Sequence, residues 1–212
     1  MEPFIRSDQF NYIKNQLQIL INGYTSVNDK EVLEALKTLT DEKIIHLFDD
    51  LSEKQRQVFN PIVEIREKEQ AEAFLSQLKQ YVIPFKKISE QSIKKLFPKA
   101  KKLKVPPFDQ IDRHEISYFG WNDTGSNKKY IVVEQNEKLV GLHGSFKNIS
   151  KKGICTICHG HEELGMFIME TKGSVQGTFI KRGNYICQDS QKCNQNIKSL
   201  DKLEDFIKCM KG

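Results

Sequence analysis

Two short stretches, GICTICHGH from Gly153 to His161 and YICQDSQKCNQ from Tyr185 to Gln195, constrain this chain more than any other feature. Cys155 and Cys158 form a C-x2-C pair, and Cys187 and Cys193 form a C-x5-C pair after 28 intervening residues. Four thiolates in two local pairs match the tetrahedral site that zinc prefers, because C-x2-C makes a tight knuckle that turns both sulfurs toward one ion. Asp189 and Ser190 are good N-cap residues, which places Cys193 near the first turn of a helix, as in treble-clef zinc fingers. The expected cofactor is one structural zinc on Cys155, Cys158, Cys187 and Cys193. Four cysteines leave no coordination position open for water or substrate, which argues against a catalytic metal. No thioredoxin-like βαβ pattern surrounds the knuckle, which argues against a redox pair. His159 and His161 stand close enough in sequence to replace a cysteine, although their glycine and glutamate neighbours read as a solvated turn. Cys209 has no partner by spacing and reads as a half-buried thiol.

The rest of the chain divides by charge. Residues 1–82 carry 14 acidic and 10 basic side chains, net −4, which leaves 14 and 23, net +9, for the remainder. Pro84 breaks the last helical pattern of the first half, so the boundary falls at 83/84. Before it the pattern is helical throughout. Phe10, Ile13, Leu17, Leu20 and Tyr24 follow Ser7, a candidate N-cap, at steps of three and four, with Gly23 placed to end the helix. Asn28 is a candidate cap for a second helix, TDEKIIHLFDD reads as a separate short one, and SEKQ from Ser52 is a capping box. Pro61 is expected to kink the helix that follows. His46 has no second ligand at a useful spacing.

After a helix capped by Ser89, EISYFGW, KKYIVVEQ and KLVGLHGSF read as strands, with a hairpin at Asn136 and Glu137. GMFIMET and GTFIKRG read as a further pair, and a terminal helix carries Leu200, Leu203, Phe206 and Ile207. The expected fold class is α+β: a helical bundle over residues 1–83, then a mixed α/β domain over 84–212 that carries a treble-clef-like four-cysteine zinc finger. Eight lysines against one acid, Glu90, lie between Lys86 and Lys104, a stretch that suits RNA, an acidic protein or plain solvent. Tyr118, Phe119 and Trp121 are of a kind to stack on bases or to fill a core.

No run of about 18 apolar residues occurs, and the N-terminus lacks a secretory pattern, so a cytoplasmic protein is expected. No G-x-x-x-x-G-K-[ST] nucleotide loop is present.

The helical first half, FGWND ahead of NKKYIVV, GICTIC, KRGNYICQDSQKCNQ and the terminal FIKCM together resemble the elongation-factor-G-binding family, the FusB/FusC-type fusidic-acid-resistance proteins. The resemblance spans essentially the whole chain. It implies a non-enzymatic protein that binds elongation factor G through the zinc-containing domain and helps release it from the ribosome. Fusidic acid traps the factor there with GDP, so release restores translation. Carried over by position, the partner surface includes Arg182, Tyr185 and Phe206, with Ile154 where relatives have phenylalanine. Phe206 reads equally well as core beside Leu203 and Ile207. The competing reading is a zinc finger that grips ribosomal RNA with its lysine stretch.

Overall fold

The computed structural model describes residues 1–100 and 103–212. The chain forms two compact units, Met1–Ile83 and Pro84–Gly212.

In the first unit, α1 (Ser7–Ser26) buries Phe10, Ile13, Leu17 and Leu20 on one face. Its cap is Arg6 rather than Ser7, because the Arg6 amide donates to the Gln9 side chain at 2.9 Å and draws Ser7 into the first turn. Gly23 does not end the helix, which continues to Ser26. A Cβ at Gly23 would strike Leu36 Cδ2, so this glycine permits the close approach of α2 (Lys30–Ile45). The cap of α2 is Asp29, not Asn28, with its carboxylate accepting from the Glu31 and Val32 amides. TDEKII is not separate. Thr40 turns its hydroxyl back to Leu36 O at 2.8 Å and lies inside one continuous helix. The box at Ser52 opens α3 (Glu53–Gln57) as expected, with reciprocal bonds to Gln55. Pro61 produces no kink, since α3 has already ended and the proline lies in the first turn of a 3-10 segment, Asn60–Glu64. Finally, α4 (Lys68–Leu78) adds Ala71, Phe74 and Leu78 to a core that also holds Ile44, Phe59 and Ile62. The unit's two ends meet where Ile5 bridges Val82 and the Ile83 amide donates to Ile5 O at 2.8 Å.

The second unit opens with α5 (Glu90–Leu96), capped by Ser89 through a 3.1 Å bond from the Ser92 amide. Five strands follow as one antiparallel meander in chain order: β1 (Tyr118–Asp123), β2 (Lys128–Gln135), β3 (Lys138–Ile154), β4 (His161–Lys172) and β5 (Phe179–Cys187). Asn136 and Glu137 both take left-handed φ, 49° and 62°, the requirement of a tight turn whose twist matches its strands. At 17 residues β3 is far longer than KLVGLHGSF; its first half pairs with β2 and its second with β4, across an irregularity between Asn148 and Lys152.

Alternation along β1 and β2 gives the sheet two buried faces. Phe119, Trp121, Tyr130 and Val132 pack with Phe97 of the α5 region, with Trp121 stacked between Phe119 and Tyr130 at about 5 Å. Tyr118, Ile131 and Val133 share the opposite core with α6 (Ser190–Asn196), α7 (Asp201–Lys211) and the cysteines. The aromatic run at Tyr118–Trp121 is therefore core, and its rings are not available to stack on bases.

Candidate metal centre

The knuckle Cys155–Cys158 is the turn between β3 and β4. The Cys155 amide donates to Gly160 O, the His159 amide returns to Cys155 O at 2.9 Å, and His159 takes left-handed φ of 55°. The second pair comes from the end of β5 and from α6. The C-x5-C spacing has a simple cause: Cys187 ends the strand, Asp189 caps α6 by accepting from the Gln191 and Lys192 amides, and Cys193 follows as the fourth helical residue. Its amide donates to Asp189 O.

These elements bring all four Sγ atoms within 4.8 Å of one another. Cys155 to Cys193 is 3.8 Å and Cys158 to Cys187 is 3.6 Å. A tetrahedron with metal–sulfur bonds of about 2.3 Å has edges of about 3.8 Å, so the cage has the size zinc needs. All five cysteines are free thiols. The amides of Ile157 and Cys187 point at Cys155 Sγ and that of Gly160 at Cys158 Sγ, each at 3.4 Å, an outer ring of donors suited to thiolates. Hydrogen bonds from Cys158, Cys187 and Cys193 hold the Cys155 thiol far below its ordinary range, while the same contacts push Cys193 well above it. Cys158 is lowered like Cys155 and Cys187 raised like Cys193, so the four thiols divide two and two, and a divalent cation would hold all four deprotonated.

His159 and His161 are exposed and stand outside the cluster. Cys209 is exposed rather than half-buried, with Asn184 Nδ2 against its sulfur at 3.8 Å.

Four residues that the sequence reading passed over tie the centre to the sheet. Asn194, next to Cys193, accepts from the Ser117 and Tyr118 amides and donates to Tyr118 O, which clamps α6 onto β1. Gln188, next to Cys187, donates to Ile149 O and Leu164 O, and its own carbonyl receives Asn122 Nδ2 and Lys129 Nζ, each at 3.0 Å. Lys129 is fully buried. Burial pulls its ammonium down to about 8, against an upward pull from Cys193, Cys187 and Asp189. The sequence does carry a signal for Lys129, because it shares the inward register of Ile131 and Val133.

The four expected partner-contact residues do not converge. Ile154 and Tyr185 are exposed, at 59% and 46%, and flank Thr156, whose amide and hydroxyl both bind Tyr185 O at 2.9 Å. Arg182 lies three positions from Tyr185 on a regularly paired strand and so projects from the opposite face, where it donates to Thr171 Oγ1 at 3.0 Å. Phe206 is 1% exposed and packs on Phe167, which makes it a core residue rather than a surface contact. A single patch of Arg182, Tyr185 and Phe206 is therefore absent from this structure. In the lysine stretch, Lys86 reaches Glu137 O and Glu134, and Lys94 pairs with Glu90; Lys101 and Lys102 lie outside the described residues.

Residues 4–86 match the N-terminal domain of the elongation factor G-binding protein family, and residues 93–208 match its C-terminal treble-clef zinc finger. The chain belongs to the elongation factor G-binding protein family. Among solved structures it is similar to the fusidic acid resistance protein FusC, at 34% identity over 97% of both chains with a TM-score of 0.84. No curated protein sequence matches it. The α+β fold and the treble-clef finger expected from the sequence are both present, and the finger together with the four-cysteine cluster supports one structural zinc. No described helix is long and apolar enough to cross a membrane.

Proposed function

We propose that this chain binds elongation factor G through its zinc-organised second unit and promotes release of the factor from the ribosome, which protects translation from fusidic acid. The observation that carries the reading is the pair Ile154 and Tyr185, two large exposed side chains fixed through Thr156 to a zinc knuckle, in a chain similar along nearly its whole length to a fusidic acid resistance protein. A rigid metal-held scaffold presents such side chains with little ordering cost on binding. The protein acts by binding and performs no chemistry of its own. Binding that prefers the factor's off-ribosome conformation shifts its population away from the trapped complex. The site of action is the cytoplasm, where the factor works.

The test is a pelleting assay with ribosomes stalled by elongation factor G, GDP and fusidic acid. Added protein is expected to move the factor into the supernatant, with no change to the drug. Factor that stays with the ribosome pellet at saturating protein contradicts the reading. The RNA-gripping alternative predicts instead that the protein itself pellets with bare ribosomes, with an affinity that falls steeply with salt.

A further inference from the structure

Lys129 occupies a position that the strand pattern assigns to an apolar residue. Its register neighbours Ile131 and Val133 are fully buried, and so is Lys129 itself. Its Nζ meets two neutral oxygens, Asn122 Oδ1 and Gln188 O, each at 3.0 Å, and sits 4.8 Å above the Phe146 ring. Among the described residues no carboxylate lies within ion-pair distance of it. A buried cation held only by dipoles and a ring is costly unless a negative charge lies nearby.

Four thiolates around one zinc ion carry a net double negative charge. The zinc centre borders Lys129 through the Cys187–Gln188 backbone, and Cys193 and Cys187 act on its charge more strongly than the one carboxylate among the described residues that does so, Asp189. Tyr118, on the same face of the neighbouring strand, carries a buried hydroxyl that sits beside Cys193 and Ser190 without meeting hydrogen-bond geometry to any described group. The sheet thus turns an ammonium and a hydroxyl, both buried, toward a region whose large charge is the metal–sulfur cluster.

We propose that Lys129 is the counter-charge of the zinc–thiolate centre, a positioning residue that offsets the cluster's negative charge and fixes the Cys187 arm to β1 and β2 through Gln188. The pairing is reciprocal: the cluster keeps the buried lysine charged, and the lysine strengthens the hold of the thiolates on zinc. Asn122 completes the link, since it accepts from Lys129 Nζ and donates to the same Gln188 carbonyl.

The experiment uses full-length protein loaded with cobalt in place of zinc, comparing wild type with Lys129→Met, Lys129→Gln and the packing control Ile131→Val. Loss of the nearby positive charge raises the energy of the sulfur electrons, so the sulfur-to-cobalt absorption is expected to move to longer wavelength in both lysine variants and to stay in place in the control. Zinc affinity, measured by competition with a chromophoric chelator, is expected to fall about 10- to 100-fold in the lysine variants, beyond the loss in the control. Unshifted absorption together with control-like affinity in either lysine variant that folds overturns the proposal, since a purely structural lysine would lower melting temperature alone. Should neither fold, the 15N resonance of Lys129 Nζ in the zinc-loaded wild type decides: an ammonium at neutral pH is expected, and a neutral amine overturns it.

Discussion

Arg182 and Tyr185 stand three residues apart on β5 and therefore project from opposite faces of the sheet. Tyr185 is open to solvent beside the zinc knuckle, whereas Arg182 is half-buried, bonded to Thr171 and close to the terminal Gly212. The two are expected to behave differently on mutation. Tyr185→Ala is expected to weaken binding of elongation factor G by at least about 1 to 2 kcal/mol, as loss of an exposed aromatic anchor does, with zinc content and melting temperature unchanged. Arg182→Ala is expected to change that affinity by less than Tyr185→Ala does. Titration calorimetry on both variants checks the order, and a larger loss at Arg182 would place the partner on the other face.

Phe206 gives a prediction of the opposite kind. It is buried against Phe167 within the core that holds the cysteines. Phe206→Ala is expected to destabilise the second unit by about 3 to 5 kcal/mol, measured by chemical denaturation. The fraction that remains folded is expected to bind the factor with unchanged affinity.

Removal of the metal is expected to act on one unit alone. Zinc binding to a four-thiolate site contributes on the order of 10 kcal/mol to folding of the unit that holds it. Cys155→Ser or Cys187→Ser is expected to lose zinc and melt β3, β4, β5 and α6, while the helical first unit, with its separate core, keeps its circular dichroism. Metal analysis beside thermal melts checks this, and a full zinc equivalent in both variants would contradict the ligand assignment.

How far the sequence could be read depended on whether the signal was local. The knuckle, the Ser52 box and the Asn136–Glu137 turn are local chemistry, in which side chains and backbone settle the conformation within a few residues. Errors arose where a neighbour in space decides. Thr40 resembles a helix start but spends its hydroxyl on Leu36 O, and Gly23 resembles a helix stop but answers to Leu36 on the next helix. The expected partner patch divides for another reason. Resemblance assigns residues one at a time, whereas the period-two alternation of β5 puts positions 182 and 185 on opposite faces. A lysine in a strand reads as exposed, and only the buried register of Ile131 and Val133 marks Lys129 as internal.

Binding of elongation factor G by the zinc-organised second unit is the claim most directly open to measurement. Co-elution on size exclusion measures this, with the purified factor and either residues 84–212 loaded with zinc, the same fragment treated with a chelator, or residues 1–83. The zinc-loaded fragment is expected to co-elute with the factor at about one to one, and the other two are expected to run alone. Co-elution by residues 1–83, or by the chelated fragment as strongly as by the loaded one, would contradict it.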